Sequence, residues 1–470
     1  MADYKLSNYN FTFPYIRDGA ETGQTVMYNT RSGVMALIDE GQYAEYCAFA
    51  ESGKPVEDAD LLADLRRGGY VVAADFDELT SLRYRLLRSR YMGGHLGLTI
   101  APTSDCNFRC IYCYEKDSIK PVTMDEETQA LLLKFVEGQI SALQNLSVTW
   151  YGGEPLLAID IVEDMSKKLM ALCDEHKVKY TASIVTNGYL LTRETMEKLN
   201  ALKVSHIQVT LDGSAEDHDK RRFLAGGRPT FDRILENLAA IKDLIKDPIS
   251  IRINADRHNI DRVDRVVEAL NEKGLKDVTA PYLAMVENHN DTYNDNSCLH
   301  TNEFSAYEFN FIQRNGLNIL SRIPRQVSSY CGADFNNSFV IGSDGRIFKC
   351  WNEIGIKGRE IGTLKEGIKE TSLLHSFLMY DATQDPECVD CKFLPVCMGG
   401  CPFMRQHTPK HRCPAMKHGL AAFMDVIPAI LEKQVDEAAA KREKAAAQAE
   451  APEAQPETAE LQPEPSAADA

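Results

Sequence analysis

The sequence predicts an α/β protein: a partial (β/α)6 TIM-like barrel flanked by a small N-terminal α+β module and a cysteine-rich C-terminal domain. Three observations lead there. Strand-like and helix-like segments alternate regularly from His95 to Met285, the pattern of a parallel sheet with helices outside it. Residues 1–92 differ in texture, with short strands followed by helices. Beyond residue 290 the alternation stops, and seven cysteines appear in a fixed rhythm.

Taken in order, residues 10–15 and 25–28 alternate as strands, 29–33 is a turn signal and 34–38 is a further apolar run. Helical patterns follow at 41–50 and 58–67, closed by Gly68-Gly69 and a strand at 70–73. A helix at 77–90 leads into the barrel. There, strands are expected at 96–101, 147–151, 179–186, 206–211, 249–255 and 278–285. Helices are expected between them at 125–143, 160–176, 193–201, 231–245 and 260–273. Six strands cannot close an eight-stranded barrel, so the barrel is partial and its chemistry belongs at the C-terminal strand ends. A terminal amphipathic helix is expected at 416–435. The segment 434–470, rich in Ala, Pro and Glu, is expected to be disordered. The implied domains are 1–92, 93–289, 290–433 and the tail.

Of 470 residues, 44% are hydrophobic and 26% charged, ordinary values for a folded globular chain. The net charge of −17 argues against a nucleic-acid protein, which needs a basic surface. The N-terminus lacks the basic start and apolar core of a secretory signal, and no apolar run reaches the ~18 residues of a membrane span. A cytoplasmic protein is expected, whose 13 cysteines act as metal ligands or catalytic groups rather than disulfides.

Cys106, Cys110 and Cys113 set three thiols within eight residues. A cubane iron–sulfur cluster takes four thiolates, so a loop giving three leaves one iron open. The same spacing also suits buried core cysteines on a helix face, but Pro102, Thr103, Ser104, Asp105 and Asn107 are turn formers. With Tyr112 before the third cysteine, the CxxxCxxC loop resembles that of the radical S-adenosylmethionine (SAM) enzymes. The resemblance covers about residues 93–433. It implies that Cys106, Cys110 and Cys113 are catalytic cluster ligands and that SAM chelates the open iron. Reductive cleavage would then give methionine and a 5′-deoxyadenosyl radical, which abstracts a hydrogen atom from an unactivated carbon.

Further motifs fall at strand ends. Tyr151-Gly152-Gly153-Glu154-Pro155, by itself an ordinary turn, resembles the family's GGEP motif, whose backbone and acid hold the SAM amino group. Ser183 and Thr186-Asn187-Gly188 stand where family members contact the SAM ribose or carboxylate, and Asn254 is a candidate for the adenosine pocket. Leu211-Asp212-Gly213 with His218, Asp219 and Arg222 matches the LDG…HDxxR pattern of peptide-modifying members.

The second cysteine set, Cys331, Cys350, Cys388, Cys391, Cys397, Cys401 and Cys413, contains a CxxC pair that would also suit structural zinc. Its full spacing resembles the SPASM extension of radical SAM enzymes, which implies two auxiliary [4Fe–4S] clusters besides the SAM-binding one. Cys388, Cys391, Cys397 and Cys413 would close the outer cluster, and Cys331, Cys350 and Cys401 would hold the inner one. The inner set is one thiolate short. Residues 332–349 contain no Cys and Cys350 is followed by Trp351, departures from sulfatase-maturing relatives. Either Cys298 supplies the missing ligand or the open iron takes a cysteine thiolate of a substrate peptide. Cys47 and Cys173 are expected to be packing residues, and His407 and His411 solvated.

The N-terminal pattern resembles the small winged-helix-like module that binds leader peptides, where an extended peptide adds to a strand edge; a simple cap fits it as well. Together these resemblances imply a radical SAM/SPASM oxidoreductase similar to the thioether-forming sactipeptide and ranthipeptide maturases of ribosomally made peptides (RiPPs). Its partners would be a precursor peptide with a leader and an electron donor such as flavodoxin or ferredoxin, with no nucleic acid and no membrane. Alternatives are a carbon–carbon crosslinking peptide enzyme, an anaerobic sulfatase-type maturase, or a non-catalytic zinc or electron-transfer protein.

Overall fold

The computed structural model describes residues 3–17, 19–408 and 413–449. At the N-terminus β1 (Tyr4–Leu6) pairs antiparallel with β5 (Val71–Ala73), and β2 (Asn10–Arg17), β3 (Ala20–Asn29) and β4 (Met35–Ile38) form an antiparallel meander. Between them lie α1 (Glu40–Ser52) and α2 (Ala59–Gly68), and α3 (Glu78–Tyr91) follows. Each helix opens on an aspartate, Asp39, Asp58 or Asp77, whose carboxylate accepts from a first-turn N–H. Met27, Leu61, Leu65 and Tyr70 share a small core. This module rests on the C-terminal region: Tyr28 donates to the Pro324 carbonyl, Thr30 to that of Lys392, and the Phe11 ring meets Phe393 edge-on at 5.3 Å.

The barrel strands are β6 (His95–Ile100), β7 (Asn145–Trp150), β8 (Lys179–Thr186), β9 (Val204–Thr210), β10 (Ile249–Ala255) and β11 (Thr279–Met285). They lie side by side in chain order and all parallel. The intervening helices are α4 (Glu126–Glu137), α5 (Ile159–His176), α6 (Arg193–Ala201), α7 (Ala215–Arg221), α8 (Phe231–Ala240) and α9 (Asp264–Glu272). Burial alternates with period two along β6, β7 and β8. Leu96, Leu98 and Ile100 on β6, and Leu146, Val148 and Trp150 on β7, are fully buried, while the residues between them are half-buried. α4 ends early, at Gly138, and α7 is a short polar helix that apolar periodicity did not reveal.

Two sequence expectations need correction. The sheet does not end with the sixth barrel strand. After α10 (Thr301–Arg314), the chain returns as β12 (Ser338–Ile341) and pairs parallel with β6, Ser338 opposite Gly97 and Ile341 opposite Ile100. The sheet then continues antiparallel through β13 (Arg346–Phe348), β14 (Gly362–Thr363) and β15 (Gly367–Ile368), ten strands in all. β12 gives hydrogen-bond partners to an edge that would otherwise be bare. Second, the segment expected to be disordered from 434 begins as helix. After α11 (Ser372–Leu378), α12 (Leu394–Cys397) and α13 (Pro402–His407), α14 runs Met416–Ala449. Residues 436–449 are mostly Ala, Lys, Glu and Arg, strong helix formers, and low apolar content misled the reading there. Residues 450–470 lie outside the described residues. Leu420, Phe423, Met424 and Ile427 form the buried stripe of α14, with Phe423 against Phe309 of α10.

Candidate active site

The three cysteines of the CxxxCxxC loop sit just past the C-terminal end of β6, in turns rather than on a helix. The loop is stitched on both flanks. Glu154 N–H donates to the Asp105 carbonyl at 2.9 Å and Gly153 N–H to that of Thr103. Opposite, Arg109 N–H bonds the Phe223 carbonyl and Ile111 N–H the Arg221 carbonyl, at 2.9 and 3.0 Å. The two glycines answer to this stitching. A Cβ on Gly153 would stand 2.1 Å from the Asp105 carbonyl oxygen, and one on Gly152, at φ +102°, 2.7 Å from the Ala101 Cβ. Only glycine permits so close a backbone approach.

Glu154 is buried, and its two oxygens accept from three donors of the chain itself. Oε1 accepts from Thr186 Oγ1 at 2.7 Å and Leu156 N–H at 3.1 Å; Oε2 accepts from Asn187 N–H at 2.7 Å. The acid thus clamps the turn to the end of β8, and burial raises its pKa. Asn187 also donates from Nδ2 to Asn107 inside the cysteine loop, at 2.8 Å. Pro155 is buried, starts the 3-10 turn Pro155–Ala158 and does not line the cavity. Nor does Ser183. It has the same strand parity as Val185, which does line the cavity, but lies one layer deeper and bonds Thr149 across the strands at 2.8 Å. Alternation gave its face but not its depth.

Tyr112 is the hub of a buried network that composition alone hides. Its hydroxyl donates to Asp212 and accepts from Arg222 Nη1 and Asn254 Nδ2, both at 3.0 Å. The Arg221 guanidinium lies over its ring at 5.0 Å and pairs with Asp256 at 2.7 Å. Buried charges survive only when paired and hydrogen-bonded, and here two arginines meet two aspartates. Arg221 and Asp256 were missed in the sequence; the only signal was that two arginines stand together at the end of the HDxxR motif. The motif's other members brace the fold. His218 is completely buried, and its Nδ1 accepts from Asp212 N–H. Asp219 caps α8 by accepting from Thr230 and Phe231 N–H.

A cavity of about 500 Å³ opens over these groups. Cys106, Cys110, Tyr112, Cys113, Gly152, Gly153, Glu154, Asn187 and Asn254 line it, together with Cys401 of the second cysteine set. Three aromatic rings form one wall. Tyr114 and Tyr151 share a hydroxyl hydrogen bond, and Tyr151 stacks on Trp351 with centroids 5.3 Å apart and planes 13° apart. Trp351 and Tyr330, which adjoin Cys350 and Cys331, are 46% and 43% exposed and line the cavity too.

Burial pushes the thiols of Cys106, Cys110 and Cys113 up, that of Cys113 to about 12, with nearby Glu154 adding to Cys106 and Glu115 to Cys113. Such thiols need a metal's positive charge to ionise, so the donor set fits a cluster. Cys331, Cys350 and Cys401 act on one another: burial raises Cys350 first, and the Cys331 and Cys401 thiolates raise it further. Cys388, Cys391, Cys397 and Cys413 line one separate cavity of about 60 Å³ with Lys417. Among the described residues no three His, Cys, Asp or Glu side chains converge as they would around a single metal ion. Cys298 donates to the Asn294 carbonyl and lies near Arg257. Cys173 is fully buried and Cys47 half-buried in its helix, as packing residues should be. His407 is exposed, as expected, with one side of its environment formed by the Phe403 ring at 4.2 Å. His411 lies outside the described residues.

Residues 100–255 match the radical SAM superfamily. The protein is a radical SAM enzyme. This radical SAM enzyme is 26% identical over 342 residues to the cysteine-type anaerobic sulfatase-maturating enzyme of Clostridium novyi, covering 65% of this chain and 87% of that one. It is 28% identical over 174 residues to the PqqA peptide cyclase of Ruegeria pomeroyi, covering 37% of this chain and 43% of that one. Its fold is similar to anSMEcpe solved with AdoMet and the Cp18Cys peptide, at 23% identity and a TM-score of 0.57 over 73% of this chain and 99% of that one. It is also similar to Streptococcus suis SuiB bound to its precursor peptide SuiA, at 14% identity and a TM-score of 0.50 over 86% and 97%. No described helix is long and apolar enough to cross a membrane.

Proposed function

We propose that this radical SAM enzyme is a cytoplasmic peptide maturase that forms a thioether between a cysteine sulfur and a carbon of another residue in a ribosomally made precursor. The observation that carries the reading is that one cavity is lined both by the CxxxCxxC cysteines and by Cys401 of the second cysteine set. When bound, SAM and its reduced cluster supply the radical that removes the hydrogen atom. The chain's own part is to hold and orient. Cys106, Cys110 and Cys113 hold the SAM-binding cluster, while Gly152, Gly153, Asn187 and Asn254 shape the SAM pocket and Glu154 locks it. Cys331, Cys350 and Cys401 hold the inner auxiliary cluster, with one corner left for the substrate thiolate. Cys388, Cys391, Cys397 and Cys413 hold the outer one.

Residues 1–92 would receive the leader at a strand edge, 93–289 form the radical SAM core and 290–433 the SPASM domain. A flavodoxin or ferredoxin supplies the electrons. The peptide bound in the SuiB structure and the peptide cyclase among the relatives support a peptide substrate. Similarity to the sulfatase-maturating enzyme over 342 residues favours a second reading, oxidation of a protein cysteine without crosslinking.

Coexpression with a neighbouring short reading frame that carries repeated cysteines, followed by mass spectrometry with thiol trapping, separates the readings. Loss of two hydrogens together with one trappable thiol per event is the expected result. Loss of two hydrogens with every thiol still trappable means a carbon–carbon link. A changed cysteine without a crosslink means the sulfatase-type reaction, and an unmodified peptide overturns the proposal.

A further inference from the structure

Lys417 stands in the first turn of α14, on the rim of the small cavity that Cys388, Cys391, Cys397 and Cys413 line. Its Nζ donates to Cys413 Sγ at 3.5 Å. The local chain makes that contact repeatable. Pro414 follows Cys413 directly, and the Lys417 N–H bonds the Pro414 carbonyl at 3.0 Å, so the turn folds the lysine back over the cysteine. The helix behind it is pinned by Leu420, Phe423 and Met424, all buried. A lysine side chain is an ammonium at neutral pH. Among the described residues no other ammonium or guanidinium lines this cavity, and Glu387 is the one carboxylate.

We propose that Lys417 is a positioning residue for the outer iron–sulfur cluster: its ammonium hydrogen-bonds a ligand sulfur and raises the cluster's reduction potential. This rests on the reading that the four cysteines hold a [4Fe–4S] cluster. A cluster with four thiolates is anionic and gains one more negative charge when it accepts an electron. A fixed cation at hydrogen-bond distance stabilises that more negative state more than the oxidised one. The step is a one-electron reduction, with the electron supplied by an external reductant and the lysine keeping its proton throughout.

The test is a potentiometric titration with dithionite, followed by electron paramagnetic resonance. It uses the anaerobically reconstituted full chain and the Lys417→Gln, Lys417→Met and Lys417→Arg variants. The outer cluster's signal is assigned as the one missing from Cys388→Ala. Its midpoint should fall in the Gln and Met variants and return towards the wild-type value in the Arg variant, while the other midpoints stay still. A wild-type midpoint in a neutral variant overturns the proposal. So does an Arg midpoint as low as that of Gln, which would mean packing rather than charge. Two neutral side chains of different shape keep the titration readable if one variant loads too little iron. If Cys388→Ala holds as much iron as the wild type, the assignment of the four cysteines itself fails, and the inference with it.

Discussion

The hydroxyl of Tyr112, one residue before the last cysteine of the loop, donates to Asp212, two residues past the end of β9. This contact ties the cysteine loop to the fourth barrel strand. Because the same oxygen accepts from Arg222 and Asn254, its hydrogen-bonding capacity is fully used. Tyr112→Phe would leave three buried partners short of a bond. The expected cost is about 1–3 kcal/mol, read as a lower denaturation midpoint of the anaerobic protein. An unchanged midpoint would show that water replaces the hydroxyl.

Gly153→Ala puts a methyl 2.1 Å from the Asp105 carbonyl oxygen. Backbone cannot yield as a flexible side chain would, so the turn and the cysteine loop must separate. Iron bound after reconstitution should drop, and SAM affinity should fall by at least about tenfold, equivalent to ~1.4 kcal/mol. Gly138→Ala is the control, since a Cβ there meets its nearest neighbour at 3.5 Å.

His218 predicts a pH dependence of stability. Thr230 Oγ1 donates to the Arg222 carbonyl and Nδ1 accepts from Asp212 N–H, so the ring is the neutral form with its proton on Nε2, shared with Thr230. Burial first, then Arg222 and Arg221, hold its pKa well below 6.5. An unfolded histidine takes up a proton below about pH 6.5 while the folded one does not. The stability is therefore complete above that pH and lost as pH falls below it, by up to about 1.4 kcal/mol per pH unit. In His218→Gln the slope of denaturation midpoint against pH should flatten below about 6.5. A slope equal to the wild type's would assign the acid sensitivity elsewhere.

Trp351 is backed by Tyr151 on one side and about half exposed in the cavity. A ring held rigidly from behind offers contact area at little entropic cost. Trp351→Ala should raise the KM for the precursor by about tenfold or more and lower kcat less, and Trp351→Phe should recover most of the loss. Equal falls in kcat and kcat/KM would mean that the ring acts only once the transition state forms.

How legible was this in the sequence? β8, β10 and α6 fall at the expected residues. Each has unambiguous local punctuation, such as Asn187-Gly188 after β8 and Thr192 capping α6. The cysteine loop and the GGEP turn were equally local. What stayed hidden depends on distant partners. β12 is four residues whose identity as a strand comes from β6 more than two hundred positions away. The Arg221–Asp256 pair looks like two solvated charges until the fold buries both. Glu154 was expected to meet a ligand's amino group; only three-dimensional proximity reveals that its oxygens also accept from Thr186 and Asn187.

The pairing of β12 with β6 constrains how such a protein can be cut or recombined. A chain stopped at residue 289 would keep all six barrel strands yet leave the first one with a bare flank of amide and carbonyl groups, an invitation to self-association. The region that carries the later cysteines is thus no detachable cassette. Grafting it onto another barrel would require transplanting a sheet register along with the sulfur ligands.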